Sequence, residues 1–99
     1  MQIEYGDEEL RRLAEDSDAR APDWGEDLLR SYRKKVQILT AAIDERDLAA
    51  QRGLRFEKLK GDRRGTFSIR LNDQYRLILR FRTESPGRVV TVIEVVDYH

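Results

Sequence analysis

The stretch Thr66-Phe67-Ser68-Ile69-Arg70-Leu71-Asn72-Asp73-Gln74-Tyr75-Arg76-Leu77-Ile78-Leu79-Arg80-Phe81-Arg82 decides the fold. Two runs with a period of two flank a short polar segment, the pattern of a β-hairpin. Because side chains alternate, a slip of one residue in the pairing turns every one of them to the other face. A loop of Asn72 and Asp73 alone sets Ile69 against Arg76 and spoils the apolar side. A three-residue loop sets Leu71 against Tyr75, Ile69 against Leu77 and Phe67 against Leu79, leaving a clean apolar face to lie on helices. That register also puts Arg70 directly opposite Arg76 on the other face, next to Ser68, with Arg80 and Arg82 further along. Like charges facing across a strand pair are destabilising. Two arginines held there suit a phosphate or carboxylate between them, whose oxygens guanidinium groups grip with paired hydrogen bonds. The alternative is a pair splayed into solvent or bonded to Glu94.

Working outward, Pro86-Gly87 reads as a turn, and Val89 to Val96, apolar except for Thr91 and Glu94, reads as an inner strand covered on both faces. Upstream, Leu54, Phe56 and, after a change of parity, Leu59 suggest a strand closing at Gly61. Leu28, Tyr32, Val36, Leu39 and Ile43 recur every three or four residues, which predicts one amphipathic helix from about residue 25 to 46. A short turn through Leu48-Ala49-Ala50 then ends near Gly53. Before the break at Ala21-Pro22-Asp23, Leu10, Leu13 and Ala14 form the apolar stripe of a shorter helix that starts at Gly6-Asp7, with Glu8 and Glu9 in its first turn. Residues 2–5 alternate as a short strand. Trp24 is either a core anchor for the second helix or part of a partner interface. Helices followed by strands mean an α+β fold: an N-terminal strand and two helices on one face of a mostly antiparallel sheet of four to five strands. Residues 1–99 suffice for a single domain.

Composition narrows the function classes. Hydrophobic content is 39% and charged content 38%, polar but within the globular range. No apolar run approaches the roughly 18 residues a membrane span needs, and no signal peptide is recognisable, so a cytoplasmic protein is expected. With no cysteine, disulfides and thiolate metal sites are excluded. The net charge is zero, but it divides unevenly. Residues 1–27 carry ten acids against three bases, and residues 52–82 carry ten bases against three acids. Such asymmetry points to a polyanion or an acidic partner on one side; the plainer reading is a solvated surface with an acidic leading helix. Lys58, Lys60, Arg63 and Arg64 flank Gly61 and Gly65 in a basic loop beside the hairpin, without the spacing of a nucleotide-triphosphate phosphate loop.

The closing Asp97-Tyr98-His99 brings together a carboxylate, a phenol and an imidazole, three groups able to move protons. A lone histidine and carboxylates without ligand spacing give no metal site, and no serine has a nucleophile context, so neither metal nor cofactor is called for.

These segments carry a resemblance. Leu54-Arg55, Leu59-Lys60-Gly61-Asp62-Arg63, Gly65-Thr66-Phe67-Ser68-Ile69-Arg70-Leu71-Asn72, Gln74-Tyr75-Arg76 and Val95-Val96-Asp97-Tyr98-His99, in that order, resemble the HigB-type toxins of the RelE/ParE superfamily of bacterial type II toxin–antitoxin systems. The resemblance spans essentially the whole chain. It implies a ribosome-dependent messenger RNA endonuclease (mRNA interferase) acting in the decoding site and held inactive by a helix-turn-helix antitoxin of the HigA type. Metal-free RNA cleavage needs a base for the 2′-hydroxyl, an acid for the leaving 5′-oxygen and cations for the crowded phosphorane. The resemblance implies His99 or Asp97 for proton transfer, Tyr98 for positioning or stacking, and Arg76 with Arg70 on the phosphate. Lys60 stands nearby, and Lys58, Arg63 and Arg64 add charge for the RNA backbone. Where some relatives carry an active-site histidine, this chain has Glu57, a possible substitute acid or base. The alternatives from other classes are a ParE-like gyrase inhibitor, and a relative with weak or no catalysis that binds antitoxin.

Overall fold

The computed structural model describes residues 1–85 and 87–97. The N-terminal strand β1 (Gln2–Tyr5) leads into α1 (Glu8–Glu15), α2 (Glu26–Ala41) and a short α3 (Glu45–Ala49). Four strands follow: β2 (Glu57–Lys58), β3 (Phe67–Arg70), β4 (Tyr75–Glu84) and β5 (Gly87–Asp97). They form one five-stranded sheet in the order β1-β5-β4-β3-β2, antiparallel throughout except for the parallel pair β1–β5. The expected α+β class is observed.

The hairpin adopts the three-residue loop. Phe67 faces Leu79, Ile69 faces Leu77 and Arg70 faces Arg76. Asn72 fixes this register: its Oδ1 accepts hydrogen bonds from the N–H groups of Gln74 and Tyr75, both at 2.8 Å. A side chain that satisfies the loop's own backbone in this way sets the loop length. Ile69, Leu77, Leu79, Val90 and Val92 are buried against Leu10, Leu13, Leu28, Leu29, Tyr32, Leu39 and Leu48 of the helices. Each such aliphatic side chain, fully buried, contributes about 1.5–3 kcal/mol.

α1 begins where Asp7 accepts the Leu10 N–H at 2.8 Å, a side-chain cap for an otherwise unpaired donor. Its C-terminal carbonyls meet a cation from the next helix: the Arg33 guanidinium donates to Leu13 O at 2.8 Å and to Asp16 O at 2.9 Å. The Tyr32 hydroxyl, fully buried, donates to Leu10 O at 2.7 Å. Trp24 is half-buried and packs edge-on against Tyr32 with ring centroids 5.1 Å apart, the core-anchor reading.

Two expectations fail. The helix expected to run to residue 46 stops at Ala41; Ala42 is extended, and Ile43 is 78% exposed rather than on the buried face. The reason is capping: Asp44 accepts the Arg46 N–H at 2.9 Å and starts α3, while Asp47 Oδ2 accepts the Ile43 N–H at 2.7 Å. Residues 45–49, read as helix end and turn, are a separate helix, with Leu48 buried. The strand expected from Leu54 to Leu59 shrinks to Glu57–Lys58. Leu54 ends a 3-10 turn (Arg52–Leu54) and is buried there, and Phe56 turns inward to stack on Phe67 at 5.2 Å.

The inner strand β5 is as expected between β1 and β4, though longer than Val89–Val96 and only half-buried over Val95 and Val96. A bulge displaces its register between the pairs Ile78–Glu94 and Leu79–Val92, leaving Ile93 unmatched. Gly87 belongs to the strand, paired with Glu84; Pro86 lies outside the described residues. At the other edge Gly6 donates to Val92 O at 2.7 Å, and a Cβ there would meet Ile93 O at 3.0 Å, so the tight entry to α1 suits glycine.

Candidate functional site

The register that buries Ile69 and Leu77 turns a row of polar side chains to the face away from the helices. Glu57 on β2 pairs with Ser68 on β3, Ser68 with Ile78 on β4, and Ile78 with Glu94 on β5. Two residues along, Arg70 pairs with Arg76 and Arg76 with Val96. The expected arginine pair is therefore present, with Glu57 on the same face.

The two arginines are held differently. Arg70 forms an ion pair with Asp73 in the hairpin loop. The Arg76 guanidinium donates to the backbone carbonyl of Arg55 at 3.4 Å, and with Arg55, Phe56 and Glu57 it lines a cleft of about 390 Å³. Neither binds Glu94. That carboxylate receives Arg63 at 3.2 Å instead, so the basic loop reaches across β3 and β4, over the side where Ser68 and Ile78 are buried. Ser68 Oγ is fully buried and has no hydrogen-bond partner among the described residues.

The remaining basic residues scatter. Lys58 pairs with Phe67 in the register and takes that residue's side of the sheet, away from Arg76. Lys60 precedes a 3-10 turn (Gly61–Arg63) and is exposed, as is Arg64. Arg82 is drawn off to Glu4 and Glu84 and belongs to the other end of the sheet. Asp97 stands opposite Tyr75, one position from the residue facing Arg76, and its Oδ2 accepts Gln74 Nε2 at 3.0 Å. Tyr98 and His99 lie outside the described residues.

Lys35 on α2 is a residue that the sequence pattern does not single out. It is half-buried, with Nζ donating to Ser31 Oγ at 3.2 Å, and Ser31 Oγ donates to Leu71 O at 2.6 Å at the end of β3. Burial, then the charges of Lys34 and Arg70, push the Lys35 ammonium below its ordinary pKa, making it a readier proton donor than an exposed lysine. Its signal was tertiary only: nothing in α2's own pattern places it near the hairpin loop. Arg55 was quoted for its place in a motif but given no role.

Similarity to known proteins agrees with this architecture. The family model described as a RelE-like toxin of the type II toxin–antitoxin system HigB matches residues 3–99. Toxin HigB-1 of Vibrio cholerae serotype O1 is 40% identical over 81 residues, covering 82% of this chain and 84% of that protein. In fold, the chain is similar to a YoeB/ParE toxin from Agrobacterium tumefaciens, with a TM-score of 0.56 at 15% identity over the whole of both chains. It is also similar to a chain of the YoeB–YefM complex from Staphylococcus aureus, with a TM-score of 0.54 at 15% identity over 100% of this chain and 97% of that one. A match along nearly the full chain, joined to a relative of this identity and to the α+β sheet order, settles the family: the chain belongs to the HigB group of RelE-like toxins of type II toxin–antitoxin systems.

Proposed function

We propose that this toxin is a messenger RNA endonuclease that acts on the ribosome without a metal ion. The supporting observation is the Arg70–Arg76 pair, set by the strand register on a face that also carries Glu57. In the proposed reaction a base removes the proton of a 2′-hydroxyl, and O2′ attacks the adjacent phosphorus. The P–O5′ bond breaks and the leaving oxygen takes a proton from an acid, giving a 2′,3′-cyclic phosphate and a 5′-hydroxyl. Arg76 and Arg70 neutralise the oxygens of the crowded intermediate, a fixed cationic frame whose gain is largest where charge builds up. Asp97, Tyr98 and His99 supply proton transfer and positioning, and Glu57 is a further candidate. Lys58, Lys60, Arg63 and Arg64 serve the RNA backbone.

The proposed partners are the small-subunit decoding site with its messenger and a helix-turn-helix antitoxin of the HigA type; the working location is the cytoplasm, where ribosomes translate. The test is induction of the chain without antitoxin, with messenger 5′ ends mapped. Growth arrest with new ends inside reading frames, both lost in Arg76→Ala and on removal of His99, is the expected result. Arrest with intact messenger and DNA damage would instead indicate a gyrase inhibitor, and no arrest an antitoxin-binding relative without catalysis.

A further inference from the structure

Among the described residues, Arg55 is the one non-glycine residue with a positive φ, 49°. An L side chain in this region crowds its own backbone, so such a residue persists where its neighbours enforce it, and these positions gather at ligand sites. The enforcement is visible. Leu54 before it is buried, Phe56 after it packs on Phe67 and Phe81, and the Arg55 N–H closes the 3-10 turn on Arg52 O at 3.1 Å. With both neighbours anchored, Arg55 must make the reversal. Glycine or asparagine turns this way at less cost, yet the chain has arginine there.

The turn has two results. It aims the Arg55 carbonyl at the Arg76 guanidinium, and it leaves Arg55 lining the cleft shared with Arg76, Phe56 and Glu57. Arg70, the other candidate partner of Arg76, already spends one guanidinium nitrogen on Asp73. Arg55 forms no ion pair with a described residue.

We propose that Arg55 is a substrate-binding residue, supplying the second guanidinium that holds, with Arg76, a backbone phosphate of single-stranded RNA in this cleft. The inference rests on the reading of this face as an RNA site. Its two parts are separable by substitution: Arg55→Gly keeps the positive φ and the carbonyl while removing the cation, and Arg55→Asn tolerates the same backbone with a neutral side chain.

The probe is a short, labelled single-stranded RNA with 2′-O-methyl groups, which cannot be cut, titrated into the purified chain over a salt series. Arg55→Gly and Arg55→Asn should keep the parent's melting temperature and bind about tenfold more weakly, the loss expected for one charge-assisted contact. The slope of log affinity against log salt should become shallower by about 0.7, the value for one phosphate contact on a single strand. Arg55→Lys should restore the slope and only part of the affinity, since an ammonium cannot make the forked contact. Parent-like affinity and slope in both neutral variants, with Arg76→Ala weakened, would overturn the proposal, as would failure of the parent to bind. Mapping of messenger ends in induced cells reads the cleavage hypothesis separately: intact messenger beside an Arg55-dependent slope would refute cleavage and leave the phosphate contact standing.

Discussion

The two edges of one sheet treat their arginines in opposite ways. Near β1 the cations are spent on protein carboxylates: Arg82 on Glu4 and Glu84, Arg88 on Glu45, Arg11 on Glu8 and Glu15, and Arg12 on Glu9. Near β2, Arg52, Arg55, Lys58, Lys60 and Arg64 form no ion pair with any described residue, and Arg63 alone in that loop reaches a carboxylate. α1 packs at the β1 edge and the basic loop at the β2 edge. The acidic segment pairs Glu8, Glu9, Glu15 and Glu26 with its own arginines and Glu4 with Arg82, and it stays net acidic. What remains for a polyanion is one edge of the sheet, and removing a cation should cost stability at one edge and binding at the other.

The largest effect expected is on activity. Arg76→Ala should reduce messenger cleavage by about two to three orders of magnitude, the loss typical of one fixed donor to a developing oxyanion, while its urea midpoint stays near that of the parent. Wild-type cleavage by this variant would break the division. Removal of the acids of α1, by contrast, should leave cleavage largely intact.

Next come the ion pairs at the β1 edge. Glu45 and Arg88 join α3 to β5 with both side chains less than a third exposed. Arg88 holds the Glu45 carboxyl below its ordinary range, against the opposing cost of burial. A folded value below the unfolded one gives stability that is present above the usual carboxylate pKa and is lost as pH falls through the folded value. Glu45→Gln should cost roughly 1 kcal/mol at neutral pH, a gap that closes on acidification below about pH 4.5. Equal denaturation midpoints at neutral pH would contradict it.

Ser68 sharpens the comparison from the middle of the sheet. An unpartnered buried hydroxyl costs roughly 1–3 kcal/mol relative to a satisfied one, so Ser68→Ala should raise the melting temperature by a few degrees, at about 1 kcal/mol. A fall in melting temperature would mean that the hydroxyl is bonded. The smallest effect belongs to Ile43, which points to solvent; Ile43→Lys should change stability by no more than about 0.5 kcal/mol. A larger loss in chemical denaturation would argue for the continuous helix that the periodicity suggested.

That last case shows where periodicity misleads, and the hairpin shows where it is readable. The hairpin register, and with it Arg70 opposite Arg76, followed from alternation alone, because a two-residue period leaves one pairing that keeps the apolar side dry. The class and strand order of the C-terminal half were equally local. The α2 boundary was misread because Ile43 continued a spacing by coincidence, whereas Asp44 and Asp47 ended the helix through hydrogen bonds that periodicity does not register. The strand at Leu54 was misread because both Leu54 and Phe56 are pulled into the core around a reversal at Arg55.

The sequence by itself determined the fold class, the register of the hairpin and the family motifs, since alternation and motif spacing are local. The tertiary structure alone decided which groups the cations meet. Arg63 goes to a carboxylate 31 positions distant and Arg82 to one 78 positions distant, while Arg55 and Arg76 meet across 21. An ion pair forms wherever folding brings opposite charges within about 4 Å, and no count along a chain contains that distance.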